Sequence, residues 1–298
     1  MYAITGITGQ VGGALANQLL DAGRPVRAIV RDAEKGKPWL RRGCEMALAA
    51  MDDATALKAA FSVAQGVFIL LPPVFDPSAD FSEARSYIGA IAHALQAAKP
   101  ERVVCLSTIG AQAGERNLLT QLGMLEQALA GLAMPHAFLR AGWFMENSAW
   151  DVASACGSGV IDSYLAPPER RIPMVSAQDV GRVAAELLQQ SWQGRRMVEL
   201  EGPQRIAPID IAAAFGRILN RQVEVRSVPR ETWAERFNLQ GMKNPVPRMR
   251  MLDGFNEGWI DFTGDGETVK GRVELETVLR SLVERNANAQ SAPEKQTA

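Results

Sequence analysis

Histidine, cysteine and tyrosine are scarce in this chain, and each scarcity closes off a class of chemistry. Two His and three Cys occur among 298 residues. His93 and His136 are widely separated, as are Cys44, Cys105 and Cys156. None has the paired spacing of a zinc site, so no metal is expected. An odd number of dispersed cysteines fits buried thiols in a reducing compartment, not a disulfide framework. Neither sign of charge is in excess: 32 basic and 33 acidic residues leave a formal net charge of −1. That balance gives no electrostatic ground for nucleic acid or an anionic membrane as partner. No apolar run approaches the roughly 20 residues of a spanning helix. The N-terminus has no basic stretch ahead of an apolar one, so no signal peptide is expected and the location expected is cytoplasmic.

What is present describes a globular protein, with 47% apolar and 22% charged residues. The first 142 residues alternate short apolar runs with longer periodic segments. The runs are Tyr2–Thr5, Val26–Val30, Met46–Met51, Val67–Leu71, Val103–Ser107 and Ala137–Leu139. None shows period-two polarity, as expected of strands covered on both faces. Between them, Val11, Leu15 and Leu19 form one helical stripe and Leu57, Ala60, Phe61 and Ala64 a second. Ile88, Ile91 and Leu95 form a third, and Leu125, Leu129 and Leu132 a fourth. Asp53 reads as the cap of the second helix and Gly66 as its end. Asp80 or Ser82 opens the third. Strand alternating with helix predicts an α/β fold, a Rossmann-like doubly wound parallel sheet over residues 1–142.

After Gly142 the pattern changes. Helices are expected over Trp143–Cys156, Asp179–Gln190 and Ile209–Leu219, and strands over Ile172–Val175, Met197–Leu200 and Val223–Val228. These pieces predict a smaller C-terminal α+β lobe over residues 143–285, partly interleaved with the first domain's edge. The segment Asn286–Ala298 is polar and small, and reads as a disordered tail.

Residues 4–12, ITGITGQVG, carry the strongest signal. Gly6, Gly9 and Gly12 follow a predicted strand and open a predicted helix. In that setting the first glycine turns the chain off the strand. The second admits a pyrophosphate, and the third lets helix and strand approach. The helix N-terminus offers free N–H groups and a positive dipole end. The G-x-x-G-x-x-G spacing lacks the Lys-Ser/Thr pair of a triphosphatase loop, which disfavours ATP chemistry. The second strand is followed by Arg31, with Lys35 and Lys37 nearby. A cation here suits the 2′-phosphate of NADP(H). Asp32, adjacent, is the residue type of an NAD site, and a solvated charge cluster is the other reading of the stretch.

Together these residues resemble the NmrA-like branch of the atypical short-chain dehydrogenase/reductases. The stretches that carry the resemblance are ITGITGQVG at 4–12, VRAIVRD at 26–32, RVVCLSTIGA at 102–111 and HAFLRAGWFMENS at 136–148. VSAQDVGRVAAELL at 175–188 and VELEGP at 198–203 extend it. Within that branch the chain is similar to NADPH-dependent quinone oxidoreductases. The resemblance implies a small-molecule substrate in a cleft between the lobes. It implies Thr8, Gly9, Gln10 and Val11 at the pyrophosphate and Arg31 at the adenosine phosphate. Leu71 and Pro72, with Pro73, are implied beside the nicotinamide ribose, and Ser107 and Thr108 face the nicotinamide. A homodimer is compatible with it.

The chemistry departs from that of most catalytic members of the wider superfamily, which place a Lys four residues after a Tyr. The positions four after Tyr2, Tyr87 and Tyr164 are Gly6, Ile91 and Pro168, so no such dyad exists. The helix that would carry it, NLLTQLGMLEQALAGLA at 117–133, has neither residue. This argues against alcohol dehydrogenation and sugar epimerisation. Quinones remain accessible, because hydride addition gives a ring-stabilised anion that water or a weak donor protonates. With no side chain that must titrate, little pH dependence near neutrality is expected. The candidate orienting groups are Asn117, Gln121 and Asn147, with Ser107; each also reads as a structural hydrogen-bonder. Trp143 and Phe144 suit stacking on a flat substrate or packing between lobes. Leu252–Gly258 reads as a lid or as a fixed surface loop. The alternative function, from another class, is a non-catalytic NADP(H)-sensing regulator acting through a protein partner.

Overall fold

The computed structural model describes residues 1–291. Its first half alternates strand and helix: β1 (Tyr2–Ile4), α1 (Gln10–Asp21), β2 (Val26–Val30), α2 (Ala33–Arg41), β3 (Glu45–Leu48) and α3 (Ala54–Phe61). There follow β4 (Gly66–Ile69), α4 (Ser82–Ala98), β5 (Val103–Thr108), α5 (Thr120–Leu129) and β6 (His136–Ala141). The second half runs β7 (Trp143–Phe144), a 3₁₀ segment (Met145–Asp151), α6 (Val152–Cys156), β8 (Val160–Ser163), β9 (Met174–Val175) and α7 (Ala177–Gln189). It continues through β10 (Arg195–Glu201), α8 (Pro208–Leu219), β11 (Glu224–Ser227), α9 (Trp233–Leu239), α10 (Val246–Glu257), β12 (Glu267–Lys270) and α11 (Leu275–Ser291).

Eight strands form one parallel sheet in the order β12-β10-β6-β5-β4-β1-β2-β3. The apolar runs explain why it is wound on both sides. Along β5, Val104 and Leu106 face one core, shared with α1 and α7 through Leu15, Leu19 and Val180. Val103 and Cys105 face the other, shared with α3, α4 and α5 through Phe61, Ile91 and Leu125. Both faces are buried, so the strands need no polar alternation. The chain leaves β1 toward β2 and β3, then returns to place β4 on β1's other side. That reversal opens a crevice at the strands' carboxyl ends, the usual ligand position in such sheets. Thr5 fixes its floor: its hydroxyl donates to the Phe68 carbonyl at 3.0 Å and accepts from the Leu70 N–H at 2.8 Å.

The second half supplies a third core, with Trp233, Phe237, Phe215 and Leu279 fully buried around α8, α9 and α11. A small parallel pair, β8 with β11, lies in it. The second half also lends β10 and β12 to the main sheet.

Several local expectations change. Gly66 begins β4 and does not end α3, which stops at Phe61. Trp143–Cys156 is a two-residue strand, a 3₁₀ segment and a short α-helix, not one helix. Leu252–Glu257 is neither lid nor loop: it is the second half of α10, with Asp253, Gly254 and Phe255 buried, and Gly258 closes the helix at φ +90°. Asn286–Ser291, expected in the tail, belongs to α11, whose Leu279 and Leu282 are buried; residues 292–298 lie outside the described residues. No helix among the described residues is long and apolar enough to cross a membrane.

Candidate cofactor and substrate cleft

The turn between β1 and α1 is shaped by its glycines. Gly6 adopts φ +67°, a conformation costly for any residue with a Cβ. A Cβ on Gly12 would lie 2.3 Å from the Gly6 carbonyl oxygen, so only glycine lets α1 sit this close to the strand exit. Gly9 is the N-cap, and no side chain caps the helix. The first intrahelical bond is Gly13 N–H to Gly9 O, at 2.9 Å. The N–H groups of Gln10, Val11 and Gly12 therefore have no acceptor within the helix. Thr8, Gly9 and Gln10 are exposed beside them. This is a built anion cradle, and it fits the pyrophosphate of a dinucleotide.

At the end of β2, Arg31 and Lys35 are exposed, and neither forms an ion pair among the described residues. Asp32 has a different task. Its carboxylate accepts the Glu34 N–H at 2.9 Å and is the N-cap of α2. The acid that resembles an NAD determinant is thus engaged as a helix cap, and the free cations suit a 2′-phosphate.

From the start of α1 a cleft of about 890 Å³ runs over the sheet's carboxyl edge into the C-terminal lobe. Gln10 and Val11 line one end, with Leu71 and Pro72 after β4 and Ser107 and Thr108 at the end of β5. Trp143, Tyr164, Leu252 and Phe255 line the other. The Trp143 and Phe255 rings meet edge to face at 5.2 Å and 89°, so the tryptophan both packs the lobe and walls the cleft.

Ser107 is held from behind. Its hydroxyl donates to Glu126 Oε1 at 2.5 Å. Glu126 in turn takes a two-pronged contact from Arg140, at 2.9 Å from Nε and 2.7 Å from Nη2. Both charged side chains are buried. The network fixes the serine rotamer and leaves its oxygen lone pairs free to accept.

The candidate orienting groups separate. Asn117 is outside the cleft lining: its Nδ2 donates to the Glu115 carbonyl and its Oδ1 accepts from the Leu119 N–H, bracing the turn before α5. Gln121 lines the cleft, but its Nε2 is engaged by the Val74 and Leu118 carbonyls, each at 3.0 Å. Asn147 lines the cleft, half-buried.

Two of the carboxylates in the cleft, Glu146 and Asp151, are poorly satisfied. Glu146 Oε1 accepts the Ala177 N–H at 2.9 Å, while its Oε2 is buried without a partner. Burial pushes the Glu146 pKa up, against that hydrogen bond. Asp151 has its pKa raised to about 7, first by burial and then by the negative charge of Asp162. The sequence reading missed Asp151, Asp162, Tyr164, Arg236 and Arg248, all in the lining. No motif marks them, because separate elements bring them together. Among the described residues no lysine lines the cleft, so Tyr164 has no Lys partner there among them.

The comparisons agree with this architecture. An NAD(P)H azoreductase of Xenophilus azovorans is 25% identical over 258 residues, 86% of this chain and 85% of that one. Triphenylmethane reductase of Citrobacter sp. superposes with a TM-score of 0.80 at 18% identity, covering 95% of this chain and 99% of the other. An NADPH-dependent quinone oxidoreductase of Escherichia coli, solved with NADPH, gives 0.75 at 21% identity, covering 98% and 100%. The profile of the NmrA-like family matches residues 2–252. With glycine cradle, doubly wound sheet and cleft in place, the chain belongs to the NmrA-like family.

Proposed function

We propose that the protein is an NADPH-dependent reductase of quinones or similarly flat electrophiles. The observation that carries this reading is the single cleft that begins at the uncapped N-terminus of α1 and ends between aromatic walls in the second lobe. In this reading the Gly6–Gly12 turn, with Thr8, Gln10 and Val11, holds the pyrophosphate, and Arg31 with Lys35 holds the 2′-phosphate. Leu71 and Pro72 border the nicotinamide ribose, and Ser107 and Thr108 face the nicotinamide. The azoreductase relative, which uses NAD(P)H, supports the cofactor.

The bound dinucleotide supplies a hydride. A quinone that accepts it also takes up a proton and leaves as the hydroquinone. The anion on that path is a far weaker base than an alkoxide, so no Tyr–Lys pair is needed. The residues of this chain provide orientation and exclusion of water. Asn147 and Ser107 offer polar contacts to the ring substituents, and Trp143 and Phe255 offer flat apolar surface. Asp151 adds a carboxyl that titrates at about 7, so some pH dependence of ligand binding is expected alongside a chemical step that needs no titrating side chain.

The test follows NADPH consumption over a panel of quinones, azo compounds, simple ketones and nucleotide sugars. Turnover is expected with the flat acceptors and not with the ketones or sugars. Robust ketone reduction would defeat the reading. Tight NADPH binding without turnover on any acceptor would favour the redox-sensing regulator.

A further inference from the structure

Among the described residues five charged side chains line the cleft: Glu146, Asp151, Asp162, Arg236 and Arg248. Asp162 is shared by Arg226, at 2.7 Å, and Arg236, at 3.2 Å, so that cation has its counter-ion. Arg248 has none. No carboxylate lies within ion-pair distance of it among the described residues. Its one polar contact runs from Nη1 to the Met242 sulfur at 3.8 Å. A guanidinium offers five N–H donors, and here none meets an oxygen of the described residues.

Other arginines stacked on aromatic rings here have an oxygen acceptor. Arg230 and Arg250 pair with Asp253, Arg196 with Glu267, and Arg116 donates to the Ala79 carbonyl. Arg248 is half-buried, and loss of solvent pulls its pKa down. A desolvated charge without a counter-ion is costly, and proteins rarely keep one without a use.

Its geometry is that of an aimed group. The guanidinium carbon lies 4.5 Å from the Phe237 ring centre and 5.5 Å from that of Trp150. Such stacking holds the planar fork and leaves its edge for a ligand. Arg248 also lies in the first turn of α10, which contains no acidic residue, so the positive end of the helix dipole adds to its charge. Met251, Leu252 and Phe255, from the same helix, line the cleft alongside.

We propose that Arg248 anchors the substrate and selects flat aromatic acceptors that carry an anionic substituent: carboxylate, sulfonate or phosphate. The fork takes two oxygens of the anion while the ring lies against Trp143 and Phe255. Arg248 is a specificity residue in this assignment and takes no part in hydride or proton transfer. The assignment rests on the cleft being the substrate site of the proposed reductase.

Two redox-inert probes of one shape separate charge from fit: naphthalene-2-sulfonate and its neutral sulfonamide. Each is titrated calorimetrically into the full chain saturated with NADP⁺. The wild type should bind the sulfonate at least about tenfold more tightly than the sulfonamide, the range of one charge-assisted contact. Arg248→Met should abolish that preference, and Arg248→Lys should retain part of it as a point charge without the fork. Thermal denaturation checks that both variants are folded. Equal affinities for the two probes in the wild type would overturn the proposal. So would an undiminished sulfonate preference in folded Arg248→Met or, should that variant not fold, in Arg248→Lys. Turnover is scored separately. Sulfonate selectivity without NADPH consumption would sink the reductase reading and leave the anchor standing. Reduction of neutral quinones without sulfonate selectivity would do the reverse.

Discussion

The two ends of the cleft are built on opposite electrostatic terms. At the cofactor end the side-chain charges behind the site are satisfied within the protein, Glu126 holding Arg140 and Ser107 and Asp32 capping α2, and only Arg31 and Lys35 at its exposed rim lack an ion pair among the described residues. At the lobe end, Glu146 has an orphan oxygen, Asp151 is raised to about 7 and Arg248 lacks a counter-ion. The first end is stiff before any ligand arrives, which suits a cofactor of fixed shape. The second holds polar groups in reserve, which suits substrate selection, because a ligand lacking the complementary group leaves them unpaired.

The comparison predicts that cutting the first end destabilises, whereas neutralising a charge at the second stabilises. The largest effect is expected at Glu126. Glu126→Ala strands the buried Arg140 guanidinium and should cost about 3–5 kcal/mol of folding stability, read by denaturant unfolding. A loss below about 1 kcal/mol would mean that the cofactor end is not held by this pair.

Gly9→Val tests the cradle without touching the core. A Cβ there would lie 3.3 Å from the Gly6 carbonyl oxygen, a contact that a small shift relieves, so the fold should persist. The side chain would stand where a pyrophosphate must approach, and NADPH affinity should fall at least about a hundredfold, roughly 2.7 kcal/mol. Unchanged affinity with normal circular dichroism would remove the cradle.

Arg31→Ala should weaken NADPH about tenfold to hundredfold, about 1.5–3 kcal/mol, and NADH little. Equal weakening of both would make Arg31 structural.

The smallest effect reverses the sign. The Asp151 carboxyl titrates at about 7 in the folded chain against an ordinary 3.8. Below about pH 4 it is protonated in both states and contributes nothing. Between about 4 and 7 the folded chain keeps a proton that the unfolded chain has lost, so stability falls as pH rises; above about 7 the whole cost is present. Asp151→Asn should therefore stabilise by about 1–2 kcal/mol at pH 8, after allowance for solvent screening, and by nothing near pH 4. Calorimetric melting at the two pH values measures it. A gain equal at both would show that the carboxyl is not strained by its charge.

Local patterns made the first half readable. Buried-strand runs and glycine punctuation announced the sheet, and ITGITGQVG announced the turn at its switch point, because both depend on neighbours in sequence. The missing Tyr–Lys pair was equally visible, since that dyad has a fixed spacing. The misreadings fall where packing or a local turn overrides what the residue types suggest. Leu252–Gly258, with two glycines, looks like a loop, yet Gly254 lies in a helix, and glycine stands there because the Trp259 and Ile260 side chains fill the space a Cβ would need. Asn117 looks like a polar site group, and the turn before α5 consumes both ends of its amide.

What the sequence by itself determined is the parallel α/β core, the glycine turn between its first strand and helix, and the lack of a Lys four residues after any Tyr, all of them short-range or compositional. The tertiary structure left Arg31 without an ion pair among the described residues, whereas adjacent Asp32 caps its own helix through a local contact. The tertiary structure alone brought Asp151, Tyr164, Arg236 and Arg248 to one cleft from different elements. The physical reason is that a charge acquires its function from what it can reach in space and from how far it is withdrawn from water, and neither is written in the order of the residues.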